Sequence, residues 1–220
     1  MKRIDVKREE NQTFGYILYL PENYNPENKY PFILFLHGAG ERGDGQEQLD
    51  LINAHGVARY ASSGEFDLDA IVLCPQCPTE RVWNQLVFDL YHLVDGVAEQ
   101  YGADRNRMSI TGLSMGGFGT WEMAMTFPDK FCAFAPICGG GMAWRTGALK
   151  GKPIWAFHGS DDPVVNISNS EDMVNGATKN GALVKFTVFE GVGHNSWERA
   201  YTEHDVIGFL LGASLDAAKA

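Results

Sequence analysis

The sequence predicts an α/β fold, a mostly parallel sheet flanked by helices, and three observations carry that reading. Six short runs rich in aliphatic and aromatic residues recur along the chain, and several are apolar at consecutive positions, as strands covered on both faces must be. Amphipathic stretches of helical period lie between them. The alternation fills most of the 220 residues, a length that suits one domain with a core of its own.

The amino end departs from this pattern. Alternating residues over Arg3–Arg8 and Phe14–Leu20, broken by polar Glu9–Thr13, predict an antiparallel hairpin at a sheet edge. After the loop that starts at Pro21, buried strands are expected at 31–37, 69–75, 107–113, 130–138, 152–159 and 182–190. Helices are expected over Gln85–Tyr101, Met115–Thr126, Asn169–Lys179 and Ser196–Leu211, joining the strands by right-handed crossovers. The segment GGGMAWRTGALKG at 139–151 is too short for a cap domain, so Met142 and Trp144 at most flank an open site. Residues 1–220 read as a single domain.

Composition excludes several function classes. A net charge of -10 repels phosphate backbones and anionic lipid, so neither nucleic acid nor membrane is expected as a partner. No apolar run is long enough to span a bilayer. The charged start MKRIDVKREENQ lacks the apolar centre of a secretory signal, which makes a cytoplasmic location the expectation. Cys74 and Cys77 form a CxxC, but Pro75 and Pro78 make it an extended strand exit and no second ligand pair accompanies it. Reduced thiols, with no metal and no cofactor, are expected.

The chemistry begins at Gly112–Gly116. GLSMG is a GxSxG match placed where a strand ends and a helix starts, a turn that holds its serine exposed above the sheet. Ser114 is therefore the candidate nucleophile. Gly117 and Gly119 allow the following helix close to the sheet. A serine nucleophile needs an imidazole to take its proton and a carboxylate to orient that imidazole, in the chain order Ser, acid, His. Three histidines follow Ser114. His158 ends a strand, His204 falls on the solvated face of the last helix, and His194 lies in the loop EGVGHNSW that returns to the carboxyl edge of the sheet. His194 is the candidate base.

The acid should follow the strand at 152–159, where Asp161 and Asp162 are adjacent. Pro163 restricts Asp162 and stiffens the turn, which favours Asp162 as the aimed carboxylate and leaves Asp161 to solvent. The oxyanion formed on attack needs preorganised donors. One is the backbone N–H of Met115; the other comes from the small-residue run after the strand at 31–37, where Ala39 is assigned and Gly40 is the alternative. His37 reads as a hydrogen-bonding structural residue and Arg42 as a tether for that loop.

Gly38–Gly43, GAGERG, also spells GxGxxG after a strand. The dinucleotide reading fails on context, because Asp44 and Gly45 follow where a helix should open and the next strand ends in Cys74 and Pro75 rather than an acid. A noncatalytic binding module, the other class, would have no use for an ordered serine, acid and histidine.

With these residues assembled, the chain resembles the small carboxylesterase/phospholipase branch of the α/β-hydrolases, and more closely resembles bacterial feruloyl-esterase-like proteins often labelled predicted peptidases. The resemblance rests on HGAGERG at 37–43, PQCP at 75–78 with Trp83 and Asn84, GLSMGGFGTW at 112–121, HGSDDPVV at 158–165 and GHNSW at 193–197. It implies the α/β-hydrolase fold and supports Asp162, the fifth position of HGxxDxVV, as the acid. Asn166 departs from the family pattern, where proline often follows the valines. The implied substrate is a small carboxylic ester, short-chain or aryl, including hydroxycinnamates; thioester, lysophospholipid and peptide hydrolysis would use the same residues. Trp83, Trp144 and Trp197 are the candidate pocket walls.

Overall fold

Consecutively apolar strands are satisfied only inside a doubly covered sheet, and a computed structural model, described over residues 1–216, places them there. The strands are β1 (Lys2–Val6), β2 (Tyr16–Leu20), β3 (Tyr30–Leu36), β4 (Ile71–Pro75), β5 (Ala103–Leu113), β6 (Ala133–Ile137), β7 (Pro153–Gly159) and β8 (Leu183–Phe189). They form one sheet in the order β1-β2-β4-β3-β5-β6-β7-β8. β1 and β2 pair antiparallel at the edge, β2 runs antiparallel to β4, and every later pairing is parallel. The expected amino-terminal hairpin is present.

Alternation along the strands sends successive side chains into two separate cores. On one face Phe32, Leu34 and Leu36 of β3 meet α2 (Val87–Gln100), α3 (Met115–Thr126) and α4 (Ser168–Lys179) through residues such as Leu90, Val94, Trp121 and Met173. On the other, Ile33 and Phe35 meet α1 (Gly56–Ser63), α5 (Ser196–Glu203) and α6 (Val206–Gly212) through Val57, Tyr201 and Leu210. The chain leaves β3 for β4 on one side and reaches β5 on the other. The carboxyl ends of β3 and β5 therefore flank the point where strand order reverses, the place where such sheets open a crevice.

Four elements differ from expectation. The strand expected to be buried at 182–190 is the far edge of the sheet, where Leu183 is exposed and only Phe189 is buried, because no further strand covers it. β5 starts at Ala103, four residues before the expected 107. The single helix expected over Ser196–Leu211 is broken at His204 and Asp205, where the Asp205 carboxylate accepts the backbone N–H of Gly208 at 2.8 Å and caps a new helix. The break turns His204 inward. Rather than facing solvent, its ring packs 5.6–5.8 Å from those of Trp155, Phe157 and Phe189. Helix α1 was not anticipated, because Gly56 enters it at φ 62 and no side chain caps its start. Between β6 and β7 the chain makes only a short 3-10 helix, Ala143–Leu149, so no cap domain stands over the sheet. No helix among the described residues is long and apolar enough to cross a membrane.

Candidate active site

Four loops at the carboxyl edge converge on Ser114, which sits between the last residue of β5 and the first of α3 with φ 53 and ψ -117. That left-handed conformation costs a non-glycine residue on the order of 1–3 kcal/mol, and the neighbours that enforce it are visible. A Cβ on Gly116 would stand 1.9 Å from the carbonyl of Leu36, and one on Gly112 would stand 2.4 Å from that of Gly116. Only glycine fits at either place. The Ser114 N–H donates to Ile137 O at 2.9 Å, fixing the turn against β6.

His194 bridges the serine and the acid. Its Nδ1 lies 2.7 Å from Asp162 Oδ2 and its Nε2 lies 2.8 Å from Ser114 Oγ. An ionised carboxylate only accepts, so Nδ1 carries the proton and Nε2 is bare toward the serine hydroxyl. Asp162 Oδ1 accepts the N–H groups of Val164 and Val165, both at 2.9 Å, an aim that Pro163 helps to hold. Burial alone would push the Asp162 carboxyl up, but the hydrogen bonds from His194, Val165 and Val164 outweigh it and keep the group below its ordinary value. Asp161 lies outside this chain of contacts. Its carboxylate accepts the Ser160 hydroxyl at 2.7 Å on the exposed side of the turn.

The loop after β3 faces the serine from the other side. Gly38 packs on Ser114, since a Cβ there would stand 3.7 Å from that of the serine. Ala39 opens a one-turn 3-10 helix, Ala39–Glu41, and Met115 opens α3. First-turn N–H groups of a helix have no partner within that helix, the property the oxyanion assignment calls for. The loop is held from beneath. His37 Nδ1 donates to Gly38 O at 2.6 Å, His37 Nε2 accepts the N–H of Cys77 at 3.0 Å, and Arg42 Nε donates to Ala39 O at 2.9 Å.

A cavity of about 270 Å³ opens beside Ser114, lined by Gly38–Glu41, His55, Leu113, Val164, His194 and Trp197. Of the three tryptophans only Trp197 lies on it, its ring edge-on to His194 at 5.3 Å. Trp83 is fully buried. Its indole N–H donates to His37 O at 2.9 Å and its Cβ fills the space that a side chain on Gly119 would need, so it supports the loop rather than walling a pocket. Trp144 is 80% exposed; its neighbour Arg145 pairs with Glu122 and Thr126, two and three turns along α3 from Ser114. Neither it nor Met142 reaches the cavity. Glu41, His55 and Val164 were not singled out from sequence as lining residues, although Glu41 lies in HGAGERG and Val164 in HGSDDPVV. They arrive from three separate loops.

Cys74 and Cys77 are buried and free, and burial pushes the Cys77 thiol up to about 12. Cys138 Sγ lies within 4.8 Å of ligand atoms of Asp162 and His194, close enough for the three to hold a metal ion. Burial raises its thiol to about 12, and a cation there would also have to displace the Asp162–His194 hydrogen bond. The donor set fits a proton relay better than a metal.

The family model for esterases matches residues 9–182 of the 220. The chain belongs to the Esterase family. Fold and family together place it among the α/β-hydrolase esterases. Among its family relatives it is 28% identical over 172 residues to a bifunctional acetylxylan esterase/xylanase of Neocallimastix patriciarum, covering 76% of this chain and 24% of that one. It is 28% identical over 158 residues to feruloyl esterase D of Neurospora crassa, covering 70% of this chain and 54% of that one. A thermostable esterase of known crystal structure is 34% identical with a TM-score of 0.79, over 97% of this chain and 63% of that one. The chain thus spans from a quarter to under two thirds of these three esterases.

Proposed function

We propose that the protein is a serine carboxylesterase that hydrolyses small, dissolved esters through an acyl-enzyme. The observation that carries this reading is the unbroken hydrogen-bonded chain Ser114–His194–Asp162, aimed into an open cavity. Ser114 Oγ attacks the ester carbonyl while His194 Nε2 takes the hydroxyl proton, and Asp162 balances the imidazolium that forms. The N–H groups of Ala39 and Met115 receive the oxyanion. Collapse passes the proton from His194 to the leaving alkoxide and leaves the acyl group on Ser114. A water, deprotonated by His194, then attacks the acyl carbonyl and releases the acid.

Short-chain and aryl esters are the substrates this reading favours. The names of the relatives, an acetylxylan esterase and a feruloyl esterase, support an acetyl or hydroxycinnamoyl group, and the absence of a cap over Ser114 supports a dissolved ester over a lipid surface. The continuous sheet supports treating the chain as one domain. Brief reaction with p-nitrophenyl acetate followed by acid quenching and peptide mass analysis tests the acyl-enzyme. The expected result is one acetyl group, on the peptide that carries Ser114; an acetyl group on any other residue as the sole stable adduct contradicts the reading.

A further inference from the structure

His158 is completely buried at the end of β7, and the reaction above gives it no part. Its Nδ1 lies 2.7 Å from Ser170 Oγ. Its Nε2 lies 2.9 Å from Val165 O and 3.3 Å from Asp162 Oδ2. Both of these oxygens only accept, so a bare Nε2 would face two lone-pair donors at once at a fully buried position; the proton belongs on Nε2. Ser170 Oγ also lies 2.9 Å from Gly139 O, and its single hydroxyl proton can serve either neighbour. In the neutral ring it turns toward Nδ1. In the cation Nδ1 donates to Oγ and the hydroxyl turns to Gly139. Burial pulls His158 below the ordinary imidazole range, against the raising effect of the Val165 carbonyl and the Asp162 carboxylate, so the neutral ring is the resting form.

We propose that His158 is a positioning residue, which holds Asp162 Oδ2 between two imidazoles and sets how strongly that carboxylate binds the His194 proton. The inference deepens the serine esterase reading and rests on it. Asp162 then accepts three hydrogen bonds, from Val164 and Val165 on Oδ1 and from His194 on Oδ2, and the His158 N–H, bonded to Val165 O, adds a longer 3.3 Å contact to Oδ2. Each donor stabilises the carboxylate and makes it a weaker partner for an imidazolium. Without the His158 donor, Asp162 becomes more basic and His194 holds its proton to higher pH. The titratable groups that face the pair are His194 from the loop after β8 and Cys138 from the end of β6; α4 presents only the uncharged Ser170. Asp161, one residue away, is turned to Ser160.

Two measurements test this. Imidazole ¹⁵N spectra of the unmodified protein at neutral pH should show His158 protonated on Nε2 and bare on Nδ1; the opposite tautomer overturns the proposal. In the pH profile of kcat/KM, His158→Phe should move the acid limb upward by about half to one pH unit, with kcat down roughly tenfold and KM nearly unchanged. His158→Gln, which keeps an N–H donor, should return the limb toward its original position. A folded His158→Phe protein whose limb stays in place overturns the proposal, and if that variant does not fold, the tautomer decides. The spectrum is independent of turnover. Activity surviving in Ser114→Ala would sink the serine reading and leave the His158 tautomer where it was.

Discussion

The indole N–H of Trp83 donates to the carbonyl of His37 at 2.9 Å, with the two rings 4.9 Å apart in an edge contact, so the loop that faces Ser114 stands on a buried tryptophan. Trp83→Phe keeps most of the volume and removes the donor. The His37 carbonyl is then a buried acceptor without that partner, a loss of about 1–3 kcal/mol. Denaturant unfolding should show that loss, and kcat should fall more than KM rises because the oxyanion donors shift rather than the cavity wall. Unchanged stability together with unchanged kcat would remove the support role.

Stability should depend on pH through His37. Burial lowers this imidazole to about 4, and its Nε2 cannot take a proton without losing the Cys77 N–H. The folded state therefore binds the proton more weakly than the unfolded state, whose imidazole titrates near 6.5. Its stabilising effect is complete above about pH 6.5 and is lost as pH falls through the window from 6.5 to 4, by on the order of 3 kcal/mol. His158, also lowered by burial, adds to the loss in the same direction. Thermal unfolding at pH 7, 6 and 5 should show a steep decline, and His37→Gln, which does not titrate, a shallower one. Equal slopes would mean that the proton goes elsewhere.

The two adjacent aspartates should separate cleanly. Asp162→Asn removes the charge that orients His194 and should reduce kcat by about 10³ to 10⁴. Asp161→Asn disturbs only an exposed bond to Ser160 and should stay within a few-fold of the parent. Measuring kcat for both variants decides it, and the reverse ranking would move the acid one residue upstream.

Much of this was legible in the sequence because the signals were local. The α3 bounds, Met115–Thr126, follow from glycines that only an elbow needs, and the strand ends follow from apolar runs stopped by Gly or Pro. Histidine order and the Asp162-Pro163 step singled out two residues that lie 2.7 Å apart in the fold. What was not legible depends on distant chain. The cavity joins His55 before α1, Glu41 after β3 and Trp197 in α5, and no spacing records that junction. Trp83 looked like a pocket wall because aromatic residues often are; its burial is set by Gly119 on another helix. The break at His204 escaped because apolar periodicity continues on both sides of it.

The tryptophans test the cavity. Trp197→Ala opens the wall beside Ser114 and removes the edge contact on His194, so KM for aryl esters should rise about tenfold, the scale of one lost aromatic contact. Trp144→Ala should leave both constants unchanged. Steady-state kinetics on an acetyl and a feruloyl ester separates the two, and a larger effect at Trp144 would place the acyl group outside the cavity described above.

The central claim is that Ser114 is the nucleophile, and one paired measurement bears on it most directly: turnover of a soluble p-nitrophenyl ester by Ser114→Ala, alongside labelling of the parent protein by a fluorophosphonate. The parent should be labelled at Ser114 and inactivated as labelling completes, while Ser114→Ala should fold with an unchanged melting profile, take no label and lose about 10⁴-fold or more in kcat. A folded Ser114→Ala protein that keeps its turnover and still takes the label would contradict the account.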